Sequence, residues 1–276
     1  MPKEKVLVVG LGEVGRPLFE LLDESGCFIV HGIDLDEAKM GEVGQHKKNL
    51  VKEVDIMHIC IPCVNQEKFI STVANYAKQF KPKLVIINST VMPRTTKEVS
   101  KRCECLVAHS PVRGVHESLE HVKWEMKRWT KYIGGVDAKS AEAASKHFQE
   151  LGLKTKVLKS SLESELAKLF ETTYRAWMIA CFQEMHRISR HFDAFFDDIV
   201  DFIEDTHRLR FDRPVMFPGV IGGHCIIPNT ELLLRSYDSE LLRLILKSNE
   251  KRKEEIKKES VRREVDRVKK RVEVLD

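Results

Sequence analysis

Lys5-Val-Leu-Val-Val-Gly10-Leu-Gly12-Glu-Val-Gly15 decides how this chain reads. A short apolar strand runs directly into G-x-G-x-x-G, and the helical pattern of Pro17 to Ser25 follows. Glycines in that strand-turn-helix setting allow a tight turn, close passage of a pyrophosphate and close packing of helix on strand. The unpaired N–H groups of the helix's first turn then face phosphate oxygens.

Outward from the turn, a second strand, Cys27 to Ile33, ends at Asp34, about where an acidic side chain takes the adenosine ribose hydroxyls. A carboxylate there repels a 2′-phosphate, so the expected cofactor is NAD. Gly10, Gly12, Glu13, Val14, Gly15 and Asp34 are the cofactor-binding candidates. Glu13 is awkward beside a pyrophosphate and Arg16 is placed to offset it, though both could equally face solvent; a Rossmann-like fold holding another ligand is the alternative. Strands at Asp55–Ile61, Lys83–Asn88 and Cys105–His109 alternate with helical stretches at Gln66–Phe80 and Thr95–Arg102. This alternation predicts an α/β fold with a doubly wound parallel sheet, whose ligands gather at the carboxyl edge. Pro62, Ser89-Thr90 and His109-Ser110-Pro111 emerge there, and Pro62 and Thr90 join the cofactor candidates. Lys131 to Gly135, a helix from Ala138 to Leu151 and a strand at Lys154–Leu158 extend the sheet, giving a cofactor-binding domain over residues 1–155.

A chain of 276 residues with 42% apolar content can bury a large core or two ordinary ones. The amino terminus lacks the features of a signal peptide and no apolar run approaches a membrane span, so the expectation is a cytoplasmic protein without membrane contact. Seven cysteines, odd in number and without framework spacing, fit reduced thiols. Cys60-Ile-Pro-Cys63 closes an apolar strand and so reads poorly as a redox pair. Zinc shared with Cys103 and Cys105 is disfavoured because the two pairs belong to opposite edges of a parallel sheet, and no metal is expected. The net charge of +4 is matched by residues 247–276 alone, with twelve Lys/Arg against eight Asp/Glu. The balanced remainder argues against a nucleic-acid partner.

Ser160-Ser-Leu-Glu163 has the form of a capping box, and a helix without internal Gly or Pro runs from Leu162 to about His191. Leu166, Leu169, Phe170, Thr173, Trp177, Ala180, Cys181, Glu184 and Ile188 are expected on its core-facing stripe. Lys168 and Thr172, four apart, share another face. A second helical pattern covers Phe195 to His207, and a loop with Arg210 and Arg213 leads to Phe217-Pro-Gly-Val-Ile-Gly-Gly-His-Cys225-Ile-Ile-Pro228. Those arginines could receive an anionic substrate or simply be solvated. Cys225 behind its glycine pair is a candidate nucleophile, since a thiolate adds covalently to carbonyl carbon; a small residue buried in a Gly-Pro turn is the alternative.

Four segments, in order, resemble motifs of the UDP-glucose/GDP-mannose dehydrogenase family. They are Gly10-Leu-Gly-x-Val-Gly15, Asn88-Ser-Thr-Val-x-Pro-x-Thr-Thr96, the helix Ser164 to Arg175, and Gly222-Gly-His-Cys225. The resemblance covers about residues 4–235. It implies successive NAD-dependent oxidations of a sugar hydroxymethyl carbon, with Cys225 as nucleophile, Lys168 stabilising the oxyanion, Gly10, Gly12, Gly15 and Asp34 holding NAD, and Thr90 near the nicotinamide. It also implies a homodimer formed through the long helix, and a sugar or nucleotide sugar as small-molecule substrate. Three positions depart from the family pattern: Val112 replaces a strand-end glutamate, Thr172 an asparagine and Asn229 an aspartate. Thr172 and Asn229 are kept as catalytic-site candidates. Loss of one general base typically costs ~10²–10⁴-fold in rate, and Glu117, Glu120, Asp212 and Glu231 are possible stand-ins.

No counterpart of the family's third domain is expected within these residues. A helical domain over 156–235 is followed by a charged helical tail over 236–276, whose Val261, Val265, Val268, Val272 and Leu275 have either coiled-coil spacing or the spacing of a helix packed on its own domain. The expected function is an NAD-dependent oxidoreductase acting through Cys225 and Lys168. A single two-electron dehydrogenase of the 6-phosphogluconate and 3-hydroxyacid type, and a catalytically silent NAD-binding or scaffold protein, are the alternatives.

Overall fold

The computed structural model describes residues 2–45, 51–114, 118–223 and 225–272. Glu117, His224, Leu275 and the side chain of Val272 lie outside the described residues. The chain divides into two compact units, Met1–Lys168 and Leu169–Asp276. No helix among the described residues is long and apolar enough to cross a membrane.

The first unit runs β1 (Lys5–Val9), α1 (Gly15–Glu24), β2 (Ile29–Ile33), α2 (Glu37–Glu42), β3 (Ile56–Ile59), α3 (Gln66–Phe80), β4 (Leu84–Ile87), α4 (Thr95–Ser100), β5 (Leu106–His109), α5 (Leu119–Arg128), β6 (Lys131–Gly135), α6 (Ala138–Glu150) and β7 (Thr155–Val157). Seven strands pair in the order β2-β1-β3-β4-β5-β6-β7. Helices cover the sheet, so its strands read as unbroken apolar runs: Val6, Leu7, Val8 and Val9 are all buried, as are Val85, Ile86 and Ile87. β1 lies between β2 and β3, so successive crossovers leave it in opposite directions and open a crevice beyond its carboxyl end.

The sheet is parallel-dominated, as expected, with one strand pair running the other way. β6 runs antiparallel to β5, with Ala108 opposite Gly135 and His109 opposite Gly134. Composition carries no sign of a strand's direction; that depends on where the preceding helix returns the chain. Here the preceding helix is α5, charged and capped by Ser118, which the sequence reading did not find. The chain leaves it at the carboxyl end of β5, and the Lys131 ammonium at the start of β6 donates to the carbonyls of Ser110 (3.0 Å) and Pro111 (3.3 Å).

The second unit holds the rest of α7 (Ser161–His191), then α8 (Phe196–Arg210), α9 (Ile226–Ser236), α10 (Glu240–Glu255) and α11 (Glu259–Val272). The predicted stripe on α7 turns out to mix two faces. Leu169, Thr173, Ala176, Ile179, Phe182, Gln183 and His186 are buried. Phe170, Tyr174, Met185 and Ile188 are exposed, on a second apolar stripe that periodicity alone could not separate from the first. Of the two readings of the carboxyl-terminal segment, packing within its own unit is the one observed. Val261, Val265 and Val268 are buried, and Glu264 accepts hydrogen bonds from His186 Nε2 (2.8 Å) and Arg190 (2.6 Å).

Inside the first unit His58, Asn88 and His147 form a buried polar chain. The Asn88 amide donates to His58 Nδ1 (3.0 Å), which puts the His58 proton on Nε2, facing His147 Nε2 at 2.9 Å. Both rings are therefore neutral, and burial pushes His147 down to about 4 and His58 well below its ordinary value. The unfolded chain binds protons near pH 6.5 that the folded chain refuses. The stability contributed by these rings is thus complete above that pH and falls as the pH drops towards their folded values. Urea unfolding at pH 7 and pH 5 should show it: His147→Gln, which keeps an acceptor for His58 but cannot titrate, should lose about 1 kcal/mol per pH unit less than the unsubstituted chain.

Candidate functional site

The glycine loop is shaped by two kinds of constraint. A Cβ on Gly10 (φ +89°) would stand 2.7 Å from the Cys60 carbonyl oxygen, and one on Gly15 would stand 1.7 Å from the Gly10 oxygen. Packing of β1, α1 and the exit of β3 therefore demands both. A Cβ on Gly12 would meet nothing within 4 Å, so no protein neighbour explains that glycine and it leaves open space at the crest of the loop. α1 begins after Val14 with no side-chain cap and no acidic residue in its first turn, as an anion requires.

Asp34 is half-buried, and its carboxylate accepts from Leu11 N (2.7 Å) and Asp36 N (3.0 Å), which ties the end of β2 to the glycine loop. These features fit the diphosphate and ribose of a dinucleotide. Glu13 is exposed, and Arg16 is engaged by Glu20 and Glu42. Pro62 and Thr90 follow β3 and β4 at the same sheet edge, Pro62 exposed and Thr90 half-buried.

In the second unit, side chains from two helices hold the segment that leads to Cys225. Gln183 on α7 donates to the Gly219 carbonyl (2.7 Å), while Asn249 on α10 accepts from Ile221 N (2.7 Å) and donates to Ile221 O (3.1 Å). Ser248 links the two by donating to Gln183 Oε1 (2.6 Å). Cys225 is half-buried and occupies the cap position of α9, where its carbonyl accepts from Asn229 N (2.9 Å). The sequence pattern alone does not show this helix start, since Pro228 follows the cysteine by three residues. A proline in the first helical turn is tolerated, since its missing N–H has no intrahelical partner.

Asn229, one turn beyond the cysteine, donates to Thr172 Oγ1 (3.2 Å) on α7. Two of the departures from the family pattern are thus brought together as one neutral pair. Lys168 is half-buried, one turn before Thr172 on the same helix.

At the end of β5, Val112 is buried among apolar side chains and supplies no base. The Arg113 guanidinium stacks between Trp129 and Tyr132, with ring centroids at 5.1 and 5.0 Å, and donates to Thr130 O. Of the possible stand-in carboxylates, Asp212 pairs with Arg213, Glu120 pairs with Lys123, Glu231 is exposed, and Glu117 is outside the described residues. Arg210 is exposed at the end of α8. Cys60 and Cys63 are pushed up by burial to about 12 and about 11, away from thiolate character at neutral pH.

Three groups near the carboxyl edge are buried: His109, which the sequence places at that edge, and Lys131 and Glu165, to which it assigns no role. Burial lowers Lys131 to about 7. The available signal for Glu165 was a charged residue four positions before the core residue Leu169, hence on the buried side of a helix.

The pinning of Ile221 is open to test. Asn249→Ala would leave a buried N–H and a buried C=O unpaired, and should cost about 2–4 kcal/mol in chemical denaturation. Alkylation of Cys225 by iodoacetamide should become faster as its segment is released.

Comparisons with known proteins give a consistent picture. Residues 162–251 match the model of the UDP-glucose/GDP-mannose dehydrogenase family, central domain. A UDP-N-acetyl-D-mannosamine dehydrogenase of Methanocaldococcus jannaschii is 29% identical over 90% of this chain and 65% of its own length. One from Methanococcus aeolicus is 28% identical over 80% and 58%. The chain thus spans about 58–65% of the length of these curated relatives. In fold, the UDP-D-ManNAc dehydrogenase of Pyrococcus horikoshii superposes with a TM-score of 0.74 at 22% identity, over 89% of this chain and 68% of that one. A 3-hydroxyisobutyrate dehydrogenase of Mycobacterium tuberculosis gives 0.68 at 15% identity, over 92% and 94%. Residues 162–251, with the pinned cysteine segment inside them, thus resemble a central domain of the UDP-glucose/GDP-mannose dehydrogenase family.

Proposed function

We propose that this chain is an NAD-dependent dehydrogenase that oxidises a hydroxyl of a nucleotide sugar, with residues 1–155 binding the cofactor. The observation that carries the reading is Cys225 at the head of α9, on a segment whose backbone is held at Gly219 and Ile221. A nucleophile on a rigid support suits addition to a carbonyl carbon better than one on a free loop. Gly10, Gly12, Gly15 and Asp34 hold the dinucleotide, and Pro62 and Thr90 lie on its nicotinamide side. NAD, when bound, supplies the hydride acceptor. The Lys168 ammonium stabilises the substrate oxygen as it becomes anionic, the Cys225 thiolate captures the aldehyde carbon, and the Thr172–Asn229 pair orients the groups around it. UDP-N-acetyl-D-mannosamine is the first substrate to try, from the names of the relatives.

A second reading has a specific observation behind it. Val112 is apolar and buried, and Thr172 pairs with Asn229 without a carboxylate, so no base at these positions activates water for the second step. Oxidation then stops after two electrons. Incubation with NAD, UDP-N-acetyl-D-mannosamine and a panel of other nucleotide sugars separates the cases. The first reading expects two NADH per substrate and a loss of at least about 10²-fold in Cys225→Ala. The second expects one NADH and little effect of that substitution. Absence of NADH with every member of the panel, despite NAD binding, would leave a silent cofactor-binding module and sink both.

The exposed stripe of Phe170, Tyr174, Met185 and Ile188 supports a homodimer formed through α7. Sedimentation should show a dimer, and Ile188→Asp should shift it to monomer without unfolding.

A further inference from the structure

A carboxylate removed from water costs several kcal/mol unless fixed donors replace its hydration. Glu165, in the first turns of α7, is fully buried, and three donors converge on it. Arg94 N donates to Oε2 (2.6 Å), and Thr96 N (2.8 Å) and Thr96 Oγ1 (2.6 Å) donate to Oε1. Arg94, a non-glycine residue at φ +74°, caps α4 without a side-chain bond of its own. Glu165 therefore supplies from another helix the acceptor that α4 lacks. A glutamine cannot replace it, because its NH₂ group would face at least one of these donors.

A second strut lies beside the first. His109, the last residue of β5, is fully buried, with Nε2 3.0 Å from the Ser89 carbonyl and Nδ1 2.8 Å from Ser164 Oγ. A carbonyl only accepts, so the ring proton is on Nε2, and the single Ser164 hydroxyl proton is shared between His109 Nδ1 and the Ser161 carbonyl, which is also 2.8 Å from Ser164 Oγ. Burial, together with the charges of Lys131 and Lys168, lowers His109 to about 3 and keeps the ring in this neutral form. Ser89 Oγ reaches the carbonyls of Ile59 (3.2 Å) and Ile61 (2.6 Å), so the strut extends to the exit of β3.

We propose that Glu165 and His109 are positioning residues that hold the first turns of α7, and with them Lys168, in fixed register with the loop after β4 that carries Thr90. Lys168 lies one helical turn beyond Ser164 and Glu165, and Thr90 adjoins Ser89. The inference deepens the dehydrogenase reading and rests on it for its effect on rate. Misplacing a reacting group by about 1 Å can cost ~10²-fold.

The test compares the unsubstituted chain with Glu165→Gln, Thr96→Val and the double variant, using NAD and UDP-N-acetyl-D-mannosamine, and adds amide hydrogen exchange. Glu165→Gln should lower kcat about 10–100-fold, with substrate KM and the NAD dissociation constant changed by no more than about threefold. Thr96→Val should lose less, and the double variant no more than Glu165→Gln, since both act through one contact. Exchange should quicken at Arg94, Thr96 and the 165–168 turn. Unchanged kcat in Glu165→Gln, additive losses in the double variant, or a common fall of kcat, NAD affinity and melting temperature would overturn the proposal. Should the unsubstituted chain bind NAD but not turn over, the dehydrogenase reading fails on its own. The bracket is then decided by exchange: quickening at both the 94–96 and 165–168 segments sustains it, and unchanged exchange at either overturns it.

Discussion

The first unit depends on one close contact, that of the Gly15 α-carbon with the Gly10 carbonyl oxygen. Any side chain at position 15 would place its Cβ within 1.7 Å of that oxygen. Because this contact brings α1 down onto the end of β1, the loop between them stands at the carboxyl edge, with Asp34 accepting from its Leu11 amide. Everything else at that edge, from the exit of β3 to the turn after β5, takes its place from the sheet that begins there.

Polar groups inside the protein do the fixing that apolar packing cannot. Packing tolerates small shifts, whereas a buried donor or acceptor displaced from its partner loses its bond and regains no water. The molecule uses this repeatedly. His58 and His147 join the interior of the sheet to α6, Glu165 joins α7 to α4, and Gln183 and Asn249 hold the segment before Cys225. Each such link leaves a titratable or amide side chain at a site that composition alone would assign to Leu or Val.

The Thr172–Asn229 pair has a chemical consequence of its own. Both side chains are neutral, and the bond between them occupies the donor of one and an acceptor of the other. Beside a thiol, such a pair can orient but cannot take up a proton at neutral pH.

The glycine fingerprint and most strands and helices were legible in the amino-acid sequence, because each depends on residues within one or two turns: Gly10 to Gly15, the helical pattern of α3, the apolar run of β4. The direction of β6, the division of α7 into a buried face and an exposed apolar stripe, α9 behind Pro228, and the docking of α11 through Glu264 were not. Each depends on where a distant segment lies. Periodicity identifies an apolar face without saying what covers it, and spacing shows that Thr172 and Asn229 follow Lys168 and Cys225 by one turn without showing that they meet. Local chemistry determined the elements; only the tertiary structure decided their partners, because a hydrogen bond between residues 165 and 96, or 249 and 221, leaves no periodic trace in either segment.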